Sequence, residues 1–221
     1  MNMSTKKITT LGILCSIAVI VNLLIYFPLV PSVGFLLYDP KDIVIVLGGV
    51  IYGPLSSFVL STITSILEIM FKGGNLIDVL MNVISTCTLA CTATYIYKRN
   101  PTKKNLILGL ILGSLFSCAS MLLWNYIVTP MYYHMPRSVV VSLLLPGILP
   151  FNLLKNTLNS IFVCILFKPI IVASKRSTVR IVQDRHKFGV ILFIIFIVVS
   201  LLLVVATYKG LIQLGGVRYG I

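Results

Sequence analysis

Charged side chains are scarce in this sequence, and acidic ones are the scarcest. Only 10% of the 221 residues are charged, and five are Asp or Glu against 18 Lys and Arg. A soluble domain carries about 25% charged residues, so the composition excludes an ordinary water-soluble protein. With 58% hydrophobic residues and a mean hydropathy of +1.05, the chain is predicted to be an integral membrane protein in contact with the lipid bilayer.

Motifs of catalysis and metal binding are also missing. The sequence has no G-x-x-x-x-G-K-[ST] loop, no H-E-x-x-H pair and no G-x-S-x-G turn. Its two histidines, His134 and His186, fall in loops predicted on opposite sides of the membrane, and its five cysteines lack metal-type spacing. We therefore expect no catalytic residues, no metal site and no cofactor. The net charge of +13 is interpreted as topology signals in loops, not as a nucleic-acid surface.

Long apolar runs predict membrane helices, because transmembrane strands would alternate over about ten residues. Gly53 and Pro54 interrupt the second run. With Lys6 and Lys7 placed in the cytoplasm, dividing that run into two helices puts most Lys and Arg residues on the cytoplasmic side. The predicted helices are 8–27, 42–52, 54–71, 76–98, 104–130, 148–173 and 188–208. Helix 42–52 is too short to span the membrane alone and is expected to tilt or to be shielded by neighbours.

The chain is thus predicted to be an all-α, multi-pass protein of the cell membrane with a cytoplasmic N-terminus. We divide it into a six-helix domain (1–175), a basic cytoplasmic loop (176–187), and an extra transmembrane helix with a short tail (188–221). The first apolar run, after Lys6 and Lys7, continues for about twenty residues without a small-residue cleavage site. It is therefore interpreted as an uncleaved helix.

Three polar segments face the outer side in this topology, namely 31–42, 122–136 and 150–160. Polar groups at membrane depth are costly and usually face an interior cavity. Their convergence on one side predicts a ligand pocket open to the outside.

Amide and hydroxyl groups dominate the predicted lining. Asn125 and Thr129 are four residues apart on one helix, and Asn152, Lys155 and Asn159 share one face of another. Asparagine offers both a donor and an acceptor, which suits the amide or imide edge of a planar heterocycle, and a lysine can orient a carbonyl or phenolate-like oxygen. Two alternatives stay open: asparagines often hydrogen-bond another helix, and Lys155 could extend to the headgroups.

Other side chains near this pocket have less specific patterns. Trp124, Tyr126, Tyr132 and Tyr133 could form its apolar walls, although Trp124 and Tyr133 also fit an interfacial aromatic belt. Tyr38 lies in the first polar segment. Glu68 is interpreted as a paired structural carboxylate, and Asp78 as support for the first turn of its helix.

The first helix carries small residues four apart, Gly12 and Ser16. Such spacing lets another helix approach closely. The partner could equally be a helix of the same chain.

Three motifs together resemble the substrate-binding S components of energy-coupling factor (ECF) vitamin transporters, above all the riboflavin-specific branch. The motifs are "FLLYDPKD" followed by "LGGVIYGPLSS", then "WNYIVTPMYY", then "LPFNLLKNTLNS". They occur in consistent order, and the resemblance covers about residues 5–175. Thr64 and Ser65 depart from a Lys-Asn pair that is frequent in the family.

The resemblance implies a six-helix protein that binds riboflavin from outside and topples in the membrane to carry it inward. It implies docking on a transmembrane coupling protein that two cytosolic ATPases drive, with Gly12 and Ser16 in the docking motif. It further implies that Asn125, Asn152 and Lys155 bind the isoalloxazine ring. The polar and aromatic side chains selected above by position, Tyr38, Tyr126, Thr129 and Asn159, complete the predicted binding set.

Two alternatives remain. The ligand could be another flavin or vitamin, such as FMN, for whose phosphate Arg137 and Lys41 are the nearest basic candidates. From a different class, the protein could be an intramembrane enzyme or an assembly subunit, but no nucleophile–base pair or metal cluster supports that reading.

Overall fold

The computed structural model describes residues 5–132, 134 and 136–176. A short antiparallel hairpin, β1 (Phe27–Pro28) and β2 (Leu37–Tyr38), joins the first two helices, and a single 3-10 turn (Pro31–Val33) lies between its strands. The helices of the described residues are α1 (Thr5–Leu24), α2 (Lys41–Tyr52), α3 (Pro54–Lys72), α4 (Leu76–Arg99), α5 (Lys103–Tyr132), α6 (Arg137–Leu143) and α7 (Leu149–Arg176).

The break between α2 and α3 falls at the glycine and proline that predicted it. Gly53 has φ 98° and ψ 171°, a conformation that favours glycine because it lacks a Cβ atom, and Pro54 opens the next helix. The Lys98 ammonium group donates to the Ile51 carbonyl oxygen at 2.9 Å, which satisfies a backbone acceptor at the end of α2. The two-helix prediction is confirmed.

Helix α2 is shielded by its neighbours, as its length required. Every residue of α2 except Val44 is buried, and the helix packs against α1, α3, α4 and α7. Within the described part of the chain, five helical stretches are long and apolar enough to cross a membrane: α1, α3, α4, α5 and residues 137–174. Apart from the two-residue strands of the hairpin, the described chain is helical, which agrees with the predicted helical membrane fold, and α2 is enclosed among helices that are long enough to span.

The last helical stretch is longer than predicted. Residues 148–173 were expected to be helical, but α6 precedes α7 and a single wide π turn, Leu144–Ile148, joins them. Pro146 lies inside this turn and has no amide hydrogen to donate, so the regular hydrogen-bond ladder is interrupted there. The predicted helix 188–208 and residues 177–187 of the predicted basic loop lie outside the described residues.

Helix α1 begins and ends three residues earlier than predicted. It covers Thr5–Leu24 instead of 8–27, because Phe27 joins the hairpin and pairs with Tyr38. This hairpin turns residues 25–40, which we call the β-segment, back toward the start of α2. The end of the bundle where α1, α3 and α5 finish and α2 and α4 begin is called the site end below.

Candidate functional site

A cleft opens at the site end between α4, α5 and the β-segment. Its lining residues are Phe35, Leu36, Ile77, Asp78, Met81, Trp124, Asn125, Val128, Thr129 and Tyr132. Trp124 is only 5% exposed and packs in an apolar cluster with Leu80 and Met121. Of the two readings that its sequence position allowed, the structure therefore favours a wall of the cleft over an interfacial belt.

Two of the predicted site residues, Asn125 and Thr129, lie together in this cleft on successive turns of α5. The Thr129 hydroxyl donates to Asn125 Oδ1 at 2.9 Å, and Asn125 Nδ2 donates to the Met121 carbonyl oxygen at 2.8 Å. Both residues are buried. These bonds fix the amide plane and leave it one further N–H donor, since a side-chain amide has two.

The opposite wall of the cleft is anchored by Asp78 on α4. Asp78 and Asn75 form a capping box at the start of the helix, as the position of Asp78 predicted. Asp78 Oδ2 also accepts a hydrogen bond from the Tyr132 hydroxyl at 2.9 Å. This bond ties the end of α5 to the start of α4 across the mouth of the cleft.

A second group of predicted residues belongs to a buried charge network beside the cleft. The Lys155 ammonium on α7 lies 3.4 Å from Asp39 Oδ2 and 3.4 Å from Asp42 Oδ2. Lys41 is fully buried, lies 3.5 Å from Asp39 Oδ2 and contacts Glu68 Oε2. The pairing predicted for Glu68 is confirmed, and Lys155 is held in ion pairs within the bundle instead of extending to the headgroups.

Asn159 and Tyr38 extend this network between α7, the β-segment and α2. The Tyr38 hydroxyl donates to Asn159 Oδ1 at 2.8 Å, and Asn159 Nδ2 donates to Asp42 Oδ2 at 3.3 Å. Thr86 on α4 donates to the other Asp42 oxygen at 2.6 Å. Burial, with the charges of Asp39 and Asp42, raises the pKa of Tyr38, so the phenol keeps the proton that it donates.

Asp39 connects the network to the β-segment. Burial raises the pKa of this carboxyl, but the charges of Lys155 and Lys41 outweigh that effect and hold the pKa below its ordinary value. Asp39 is therefore ionised at neutral pH and anchors the end of the β-segment electrostatically.

Asn152 lies on α7, three residues before Lys155. It is 4% exposed, and its Nδ2 donates to the Ile148 carbonyl oxygen at 2.8 Å. Its neighbour Phe151 packs with Ile148 and Leu36 in one apolar cluster, and Leu36 also lines the cleft. The β-segment thus contacts both groups of predicted residues, through Leu36 on one side and Asp39 on the other.

The remaining predicted residues lie apart from the cleft. Tyr126 is 40% exposed, and the Arg137 guanidinium lies 5.3 Å from its ring centroid. Gly12 and Ser16 are exposed on the outer face of α1, where the Ser16 hydroxyl donates to the Gly12 carbonyl oxygen of its own helix. Tyr133 lies outside the described residues.

Sequence reasoning did not identify the ion partners of Lys155. Asp39 and Lys155 are 116 residues apart, and no local spacing connects them. One signal was available, because "YDPKD" contains two of the chain's five acidic residues around a lysine. Charges so concentrated in an apolar protein indicate pairing at depth.

The fold and site define a helical membrane protein that presents buried amide, hydroxyl and ammonium groups beside an aromatic cleft at one end. The family model of the ECF transporter, substrate-specific component, matches residues 6–167. The chain therefore belongs to the substrate-specific components of ECF transporters.

Relatives and a solved structure agree with this assignment. The riboflavin transporter RibU of Streptococcus thermophilus is 27% identical over 179 residues, which cover 76% of this chain and 83% of that protein. The riboflavin transporter FmnP of Bacillus subtilis is 27% identical over 176 residues, covering 75% of this chain and 92% of that one. A solved S component of a bacterial ECF transporter matches with a TM-score of 0.68 and 26% identity, over 78% of this chain and 99% of that chain.

Proposed function

We propose that this protein is the riboflavin-binding subunit of an ECF-type importer, which captures the vitamin at the site end and delivers it inward. The observation that carries the proposal is the burial of Asn125, Asn152 and Lys155 around one end of the bundle, next to an aromatic cleft. The names of the relatives, two of which are riboflavin transporters, support the same ligand.

The chemistry of the lining suits an isoalloxazine ring. Trp124 and Tyr132 offer aromatic surface for a flat heterocycle. Asn125 has an N–H donor to spare, and the described residues offer Asn152 Oδ1 no hydrogen bond. A ring edge that presents both carbonyl and N–H groups can satisfy these amides together, while the Lys155 ammonium can attract a ring oxygen.

Burial of Lys41 favours riboflavin over FMN. Lys41 is fully buried and paired with Asp39 and Glu68, so it is not available to a phosphate at the mouth of the cleft. Arg137 remains exposed, but its guanidinium lies over the Tyr126 ring. Lys72 at the end of α3 is also exposed, but its ammonium is paired with Glu68. The extra phosphate of FMN would therefore meet only basic side chains that already have partners among the described residues.

In the proposed transporter, the N-terminus is cytoplasmic and the site end faces outward in the cell membrane. Six helices, α1 to α5 and α7, form the vitamin-binding domain 1–175. The exposed Gly12 and Ser16 face of α1 docks on the transmembrane coupling protein, and two cytosolic ATPases supply the energy. The predicted extra helix 188–208 follows the region that the family model matches, so it is proposed as a separate addition to this domain.

The proposal is tested by titrating the purified full-length protein in detergent with riboflavin and recording flavin fluorescence. Riboflavin should bind tightly and be quenched against the aromatic cleft, whereas FMN should bind more weakly. Thiamine and biotin serve as controls that should not compete. Absence of riboflavin binding at micromolar concentration would refute the proposed ligand.

A further inference from the structure

Lys41 at the start of α2 is a buried cation that the proposed ligand contacts do not use. Its side chain is fully buried, and its ammonium contacts two carboxylates, Asp39 Oδ2 at 3.5 Å and Glu68 Oε2. A buried ammonium is strongly unfavourable unless anions compensate it. Lys41 therefore holds these two carboxylates, one from the β-segment and one from α3.

Asp39 is shared between two lysines through a single oxygen. Asp39 Oδ2 lies 3.5 Å from the Lys41 ammonium and 3.4 Å from the Lys155 ammonium. Asp39 Oδ1 is buried and has no hydrogen-bond partner among the described residues. The position of this carboxylate thus depends on how strongly each lysine attracts it.

Glu68, which contacts Lys41, sets how strongly Lys41 attracts Asp39 relative to Lys155. Its Oε2 contacts Lys41, and its Oε1 accepts from the partly exposed Lys72 at 3.1 Å. Without the negative charge of Glu68, Lys41 would depend mainly on Asp39 for compensation. Lys41 would then draw Asp39 Oδ2 away from Lys155.

Asp39 also ends the β-segment, whose Phe35 and Leu36 line the cleft. A shift of the carboxylate would displace this wall and deprive Lys155 of an ion partner at the same time. We propose that Glu68 is a positioning residue for the ligand site, which acts through Lys41 to hold Asp39 and the β-segment against Lys155. This inference rests on the proposed riboflavin function.

The first test compares Glu68→Gln with the wild type, using the full-length protein and riboflavin. The substitution keeps the shape of the side chain and removes its charge. Affinity should fall about tenfold, mainly through faster dissociation, since losing one partner of a buried charge pair acts on the off-rate. Glu68→Asp, which keeps the charge, should recover most of that loss. Lys72→Gln is the matched control: it removes the second ion pair of Glu68, whose Oε2 also accepts from Asn82 Nδ2 at 3.5 Å, and should change affinity less than about twofold.

The second test asks whether Glu68 acts through Lys41. In a Lys41→Met background, in which Glu68 keeps Lys72 as a partner, Glu68→Gln should change affinity less than about twofold, because the link to Asp39 is already absent. A full tenfold loss in that background would overturn the inference. So would a Glu68→Gln protein that binds riboflavin as the wild type does, even if its thermal stability falls.

If Glu68→Gln does not fold, the double variant Lys41→Met/Glu68→Leu replaces the pair with apolar groups, which buried sites often tolerate. It should fold and bind riboflavin with the same affinity as Lys41→Met alone, because neither variant keeps the lysine that draws Asp39 away from Lys155. A double variant that binds riboflavin about tenfold more weakly than Lys41→Met would refute the positioning role. Failure of the proposed function is distinguishable, because the wild type itself would then bind no riboflavin.

Discussion

Two asparagines one turn apart on α7 have different surroundings. Asn152 follows Phe151, which packs with Leu36 of the β-segment, and donates to a carbonyl of its own helix. Asn156 instead faces α5, where its Nδ2 lies 3.5 Å from the Ser114 carbonyl oxygen and 3.8 Å from Cys118 Sγ. The same side chain thus has a proposed ligand-binding role in one position and a helix-packing contact in the next.

This contrast gives a matched pair of substitutions. Asn152→Ala should weaken riboflavin binding by about 1–3 kcal/mol, the cost of a buried ligand group left without its partner. Asn156→Ala should lower the thermal midpoint of the protein but leave affinity nearly unchanged. Both effects are measured by fluorescence titration and thermal unfolding in the same detergent. Equal affinity losses in the two variants would remove the distinction between them.

Local spacing predicts which residues share a face of a helix, but not which residues of other elements they contact. Asn125 and Thr129 were predicted on one face and are hydrogen-bonded there. Lys155 and Asn159 were also placed on one face, yet their partners Asp39 and Asp42 come from the other end of the sequence. Pairing across more than a hundred residues depends on the tertiary fold, which helical periodicity does not contain.

At the scale of helices, two glycines on α5 allow it to pack closely against α4. A Cβ atom at Gly109 would lie 2.7 Å from the Ala93 carbonyl oxygen, and one at Gly113 would lie 2.6 Å from that of Leu89. Both contacts are with backbone, which cannot move aside as a side chain can. Because α5 carries Asn125 and α4 carries Asp78, this packing fixes the two walls of the cleft.

Gly113→Leu should therefore force α4 and α5 apart and destabilise the protein by about 1–3 kcal/mol, the usual cost of overpacking. Thermal unfolding in detergent measures the loss. Gly12→Leu is the matched control, because a Cβ atom at Gly12 meets nothing within 4 Å. An unchanged thermal midpoint for Gly113→Leu would contradict the close packing.

Helix boundaries could be predicted from the sequence where a residue, such as glycine or proline, itself restricts or frees the backbone conformation. Gly53 and Pro54 ended α2 and opened α3 as predicted. The longer α6–α7 stretch was missed, since Pro146 and Gly147 also indicate a break. At these residues the helix does not end but continues through one π turn, which packs against α5 and the β-segment. Such tertiary packing cannot be read from the local sequence.

At the scale of the whole molecule, the described acidic residues lie at one end. Asp39, Asp42, Glu68 and Asp78 all belong to the site end, whereas Lys98 and Lys103 mark the opposite one. Basic residues concentrate on the cytoplasmic side of membrane proteins. This distribution supports the outward orientation that we propose for the cleft.

In the proposed orientation, the exposed small-residue face of α1 serves docking of a partner helix and does not take part in ligand binding. Gly12 and Ser16 lie far along α1 from the site end, and neither contacts the cleft or the charge network. A bulky side chain there should block close approach of a partner helix without disturbing the site. Gly12→Leu and Ser16→Leu should therefore keep wild-type riboflavin affinity in detergent.

The same two variants should abolish or strongly reduce riboflavin uptake in cells that also express a coupling protein and two ATPases. Ala119→Leu is the matched control, because Ala119 is an equally small, exposed residue on α5. Extra bulk at that position should leave both binding and uptake intact. If uptake survives in Gly12→Leu and Ser16→Leu, the docking surface lies elsewhere. If uptake fails in all three variants, added bulk facing the lipid impairs transport regardless of position, and α1 has no special role.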